Sequence, residues 1–336
     1  MSQSEMGVQP QNNLSPEERM ALKEKYERKA SFWMKIVKFL VSPLPMILLL
    51  LIMNIIAIPF MVIATITVIA QNPNVSNTQL TTLTNDLFNS KYVLPTYCIY
   101  GIIGFIIFGL WYALAFVRKD PKKFNPLESI SFSSILMVIG SALGAFGIVE
   151  VFMVLLSMIA PKIVLDYAAR IENSGIIGFD GIIPILCMYV IAPVVEELAI
   201  RGVSRKLLKW AGLGTIAILF WQAVYFGIMH MDPVQSSYTF FVGLILGYIA
   251  IRYDSIYLSI LAHLAFNVIG TVTPELFTKF EVSDTIQISV FVCCILIFAV
   301  TILMDRLLKK SDIWSKPFMQ LIRKEKEMPK EVFPEL

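Results

Sequence analysis

Apolar residues run through this chain in long blocks rather than at the spacing of an amphipathic strand or helix. Eight such blocks can be drawn, over about 41–70, 93–117, 129–160, 181–200, 212–230, 238–251, 256–272 and 285–304. About 20 apolar residues of helix cross a bilayer. The pattern therefore predicts an all-α, polytopic integral membrane protein with about eight transmembrane helices. The sixth block is short and the third long, so their ends are the least defined.

The polar stretches divide the chain further. Residues 1–38 form a polar tail in which "SPEER", from Ser15, has the form of a helix start: a capping serine, then proline, then acidic residues. That helix is expected to lie on the membrane surface and lead into the first span, and no cleavable signal peptide is expected ahead of it. Residues 39–305 are the membrane domain, with its chemistry concentrated in 181–272, and residues 306–336 are a charged, partly helical tail. The Asn/Thr-rich stretch 71–91 is expected to be an external loop. It holds "NVS", which has the form of a glycosylation sequon. Gly140/Gly144 and Gly243/Gly247 are at the spacing that lets membrane helices approach closely.

Composition sharpens this picture. Of 336 residues 57% are hydrophobic and only 16% charged, against about a quarter in soluble domains; mean hydropathy is +0.71. With the first segment inside, 24 of the 28 Lys and Arg fall on the cytoplasmic side, leaving Lys91, Lys162, Arg170 and Lys279 outside. This bias predicts a multi-pass cell-membrane protein with both termini cytoplasmic. The net charge of +3 is largely this asymmetry and gives no reason to expect a nucleic acid partner. Cys98, Cys187, Cys293 and Cys294 fall within spans with no CxxC among them, so they are expected to be packing residues.

Ionisable groups inside spans are rare and mark functional sites. Here they are Glu150, Glu196, Glu197, Arg201, His230 and His263, joined by the neutral Asn267; the two histidines are the only ones in the chain. In "APVVEELAIRG", Glu197 and Arg201 are four residues apart and share a helix face, with Glu first, the better orientation. Glu196 points about 100° away and has no such partner in its own helix. The alternative is an interfacial cluster in which Arg201 snorkels to the cytoplasm. The same spacing pairs Phe226 with His230 and His263 with Asn267. At 1.5 Å per residue, Glu196 lies roughly 20 Å, His263 10–14 Å, Asn267 16–20 Å and His230 25 Å above the level of Lys209, Arg252 and Asp254. The four groups are thus expected to converge on one intramembrane cavity. A carboxylate, two imidazoles and an amide there suggest water-activated hydrolysis, with a carboxylate–imidazole pair taking a proton and N–H donors stabilising an oxyanion.

The motifs "EELAIR", "FGIMH" and "HLAFN", in this order on successive spans, resemble the CAAX-protease and bacteriocin-processing family, which includes the Rce1-type CAAX prenyl endopeptidases. The resemblance covers about Pro184 to Gly270. It implies a glutamate-dependent, metal-independent intramembrane peptidase of eight spans, with no cofactor. Glu196 and His230 would activate water, His263 and Asn267 would form the oxyanion hole, and Glu197, Arg201 and Phe226 would support the site. The expected partner is a membrane-associated peptide or lipidated protein tail, with bacterial peptide processing or self-immunity as settings; oligomeric state is left open. Two other readings compete. A zinc peptidase could use one carboxylate and two imidazoles, but the HExxH string of membrane metalloproteases is missing. A proton-coupled transporter or silent scaffold could use Glu150 in a relay, but neither repeated halves nor paired broken helices are evident.

Overall fold

The computed structural model describes residues 16–119, 126–174, 182–308 and Lys316, and among them every regular element is helical. Helix α1 spans Pro16–Val41 and starts at the proline that the "SPEER" pattern marks. Helix α2 is Leu44–Gln71. Helix α3, Asn77–Leu87, passes through a π-helical turn, Phe88–Tyr92, into α4, Val93–Ala115. Helices α5, Phe132–Ile159, and α6, Pro161–Glu172, follow. Helix α7 is a rod of five contiguous segments: Ile182–Ile185, the π-helical Leu186–Ile191, Ala192–Glu197, the π-helical Leu198–Ser204, and Arg205–Trp210. Helices α8, Thr215–Ile228, α9, Pro233–Arg252, α10, Ile256–Lys279, and α11, Asp284–Leu308, complete the bundle.

Six helical stretches among the described residues are long and apolar enough to cross a membrane: Ser31–Gln71, Asn77–Ala115, Phe132–Ile159, Pro233–Arg252, Ile256–Lys279 and Asp284–Leu308. The fourth and fifth expected spans correspond to α7 and to α8, which is apolar but only 14 residues long. These two helices carry Glu196, Glu197, Arg201 and Phe226, with His230 in the turn just after α8.

The stretch 71–91 is not the loop expected from its polarity, because most of it is helix. Ser76 accepts the backbone N–H of Gln79 and the Gln79 side chain accepts that of Ser76, a reciprocal cap that starts α3. Thr81 and Thr82 then donate their hydroxyls to carbonyls one turn back, as side chains do inside a helix. Helix α9 likewise begins before its apolar run, because Asp232 accepts the N–H groups of Val234 and Gln235 ahead of a first-turn proline. Residues 1–15 of the first tail and nearly all of the last one, 309–336 apart from Lys316, lie outside the described residues.

Packing puts α7 at the centre. Its Ile200 belongs to a core with Met137 of α5, Phe226 of α8, Leu246 of α9 and Leu258 of α10. Val195, Ala199 and Val203 on its other side join Leu49 of α2 and Phe108 and Tyr112 of α4. The whole segment Leu198–Ser204 is buried, so a charge placed there must be neutralised by protein. The glycine pairs do the packing expected of them. A Cβ at Gly140 or Gly144 would meet Thr301 or Phe298 of α11 at 2.6 and 2.5 Å, and one at Gly243 would meet Ala223 of α8 at 2.9 Å.

Candidate active site

Glu197 and Arg201 form the expected pair. Arg201 Nη1 lies 2.7 Å from Glu197 Oε1, and both side chains are fully buried. The snorkelling alternative therefore does not hold. Arg201 also donates Nη2–H to the carbonyl of Gly243 at 3.2 Å, and its guanidinium sits 4.4 Å from the centre of the Phe226 ring. The ring face offers further attraction to the cation. One turn on, Arg205 and Lys206 are also buried and both reach Asp254, at 3.1 Å, tying the end of α7 to the turn between α9 and α10.

The remaining lone pairs of Glu197 are taken by α10. Ser259 donates its hydroxyl to Glu197 Oε2 at 2.5 Å, and His263 Nδ1 lies 3.1 Å from Glu197 Oε1. Because a carboxylate can only accept, Nδ1 of His263 carries a proton, and Nε2 points away from Glu197. That Nε2 lies 3.9 Å from Glu196 Oε2. Glu196 is the one member of this group with appreciable access, 17% of its side chain, against 6% for His263 and none for Glu197 or Arg201.

His230 follows α8 in a turn, with Nδ1 2.8 Å from the carbonyl of Phe226. A carbonyl also only accepts, so this ring too is protonated at Nδ1 and presents Nε2 as a proton acceptor when neutral. Phe226 packs edge-on to both imidazoles, with ring centres 5.1 Å from His230 and 5.5 Å from His263. Asn267 lies one turn beyond His263 on α10 and is partly exposed, with no hydrogen bond from its amide to another described residue. The structure thus gathers Glu196, Glu197, Arg201, Phe226, His230 and His263 into one connected set. The imidazole within ion-pair reach of Glu196 is His263 rather than His230.

Residues 178–269, which hold all of these groups, match a family model described as type II CAAX prenyl endopeptidase Rce1-like. This stretch is similar to Rce1-like domains. The match covers well under half of the chain and supports a likeness to CAAX-protease-type intramembrane endopeptidases. No curated protein and no solved structure matches the chain.

Within the matched stretch, Ser259 bonds Glu197 and so joins the candidate site, although none of the three motifs contains it. Its signal was present: Ser259, His263 and Asn267 recur every four residues and so share one face of α10. Glu150, the remaining carboxylate expected in a span, is elsewhere. It lines a separate cavity of about 270 Å³ with Phe277, Thr278, Glu281, Gln287 and Phe291, between α5, α10 and α11.

Proposed function

We propose that this protein hydrolyses a membrane-associated peptide or a lipidated protein tail, with Glu196 as the group that activates water. The single observation that carries this reading is the asymmetry of the paired carboxylates. Glu197 is saturated by Arg201, His263 and Ser259 and fully buried. Glu196 keeps a free, partly accessible carboxylate beside the unengaged nitrogen of His263.

The charges support the division of labour. Glu196, Glu197, Arg201 and a protonated His263 sum to zero, so the cluster tolerates burial when Glu196 and His263 share one proton. A water molecule between Glu196 and His230 Nε2 would lose a proton to this pair as its oxygen attacks the scissile carbonyl. The resulting oxyanion would receive N–H groups from Asn267 and from His263 in its protonated state. Collapse of the tetrahedral intermediate breaks the C–N bond, and the proton passes to the leaving amine. One water is consumed and one acid and one amine are released.

The test is cleavage of quenched fluorescent peptides, hydrophobic and farnesylated at the C-terminus, by purified protein with and without a zinc chelator. Wild type is expected to cleave in both conditions and Glu196→Gln in neither, a loss of at least about 10²-fold for a general base. Chelator-sensitive cleavage, or cleavage by Glu196→Gln at the wild-type rate, overturns the proposal.

A further inference from the structure

We propose that Ser259 is a positioning residue for this chemistry: its hydroxyl locks the Glu197 carboxylate in the plane that orients His263 towards Glu196. The inference rests on the peptidase reading of the site and adds a residue to it.

The argument begins with the softness of a glutamate's last torsion. Rotation of a carboxylate about χ3 is broad, so the staggered preferences that fix other side chains do not fix its plane. Partners must do so. Arg201 Nη1 and His263 Nδ1 both act on Oε1, at 2.7 and 3.1 Å. Alone they leave Oε2 free to swing. Ser259 is the group on Oε2, at 2.5 Å. Its oxygen is also 3.1 Å from the carbonyl of Leu246. A hydroxyl has one hydrogen, and the shorter contact to the charged acceptor takes it. The Leu246 carbonyl lies in the middle of α9, where the helix already supplies an N–H.

Ser259 is fully buried and sits one turn before His263 on the same face of α10. One helix thus supplies both the group that fixes the carboxylate and the ring that the carboxylate orients. Loss of the hydroxyl would let Oε1 leave His263 Nδ1. The Nδ1–H would then lose its fixed acceptor, and Nε2 would no longer be held towards Glu196 at 3.9 Å.

Two measurements on full-length protein test this. The first is the split of cleavage kinetics in Ser259→Ala, Ser259→Cys and Ser259→Thr. The alanine variant is expected to lose roughly 10- to 100-fold in kcat, the scale of a hydrogen bond to a charged group, with KM nearly unchanged. Cysteine keeps the volume but donates weakly, so it should fall with alanine; threonine keeps the hydroxyl and should recover most of the rate. The second is ¹⁵N spectroscopy of histidine-labelled protein, where two histidines give only two imidazoles. Wild type should show both rings protonated at Nδ1. The Ser259→Ala and Ser259→Cys proteins should lose that signature for one ring and keep it for the other, which bonds to Phe226. Wild-type kcat and unchanged imidazole signals in these variants overturn the proposal, as does reduced thermal stability with an unchanged spectrum. The spectrum does not depend on hydrolysis. A wild type that cleaves nothing therefore defeats the peptidase reading, while the imidazole signals still decide whether Ser259 orients His263.

Discussion

The fully buried Arg201 has a cost that Glu197 offsets only while both are present. Arg201→Met leaves the Glu197 carboxylate without its counter-charge, and the expected loss is about 3–5 kcal/mol of stability. Thermal unfolding in detergent should show it directly. The double variant Glu197→Gln, Arg201→Met should recover much of that loss while remaining inactive, because Glu197 also orients His263. Gln222 poses the opposite case. It is fully buried one turn before Phe226, and neither its amide nitrogen nor its amide oxygen has a hydrogen-bond partner among the described residues. An unsatisfied buried amide costs about 1–3 kcal/mol. Gln222→Met is therefore expected to raise the unfolding temperature and leave cleavage at the wild-type rate. A fall in both would mean that the amide serves the site.

Helix contacts give a second set of outcomes. Gly144 lets α5 approach α11 so closely that any Cβ would strike Phe298. Gly144→Val should cost about 1–3 kcal/mol by overpacking, whereas Gly109→Ala, whose new Cβ would meet nothing within 4 Å, should be neutral or slightly stabilising. Parallel denaturation of the two variants separates contact from propensity. Helix α6 is held differently. Its Arg170 reaches Asp232 at 2.8 Å, and Tyr167 bonds Tyr238 at 2.9 Å. Asp232 stands two residues from His230 and just ahead of the span that α9 forms. Burial acts to raise its carboxyl, but the Gln235 N–H, Arg170 and the Val234 N–H outweigh that and hold it below the usual aspartate range. A lowered carboxyl stabilises the fold above the ordinary aspartate range and stops doing so as pH falls through its own titration. Hydrogen exchange in α6 should therefore be slow at neutral pH and accelerate below about pH 4, near the ordinary aspartate value. Asp232→Asn should show fast exchange at every pH.

At the scale of the whole molecule, the charge bias predicts both termini on the cytoplasmic face. Reporter tags at either end should be cleaved together in inverted vesicles and protected together in right-side-out ones. Opposite behaviour of the two tags would break the even number of crossings. Of the four cations that follow the fourth apolar run, Arg201, Arg205 and Lys206 are buried in ion pairs. They act in packing, so the weight of orientation shifts to the tails and the remaining loops. The sequence by itself determined the helical class, the placement of the apolar runs, the Glu197–Arg201 pair and the three motif-bearing segments. These follow from composition and from spacings of three or four residues, which a helix turns into shared faces whatever surrounds it. The helix within 71–91 was less legible, because its signal is a reciprocal cap and not hydrophobicity. Tertiary structure alone decided that His263 and not His230 faces Glu196, that Ser259 completes Glu197, and that Glu150 lines another cavity. Each depends on how helices far apart in sequence rotate against one another, and local spacing carries no record of that rotation.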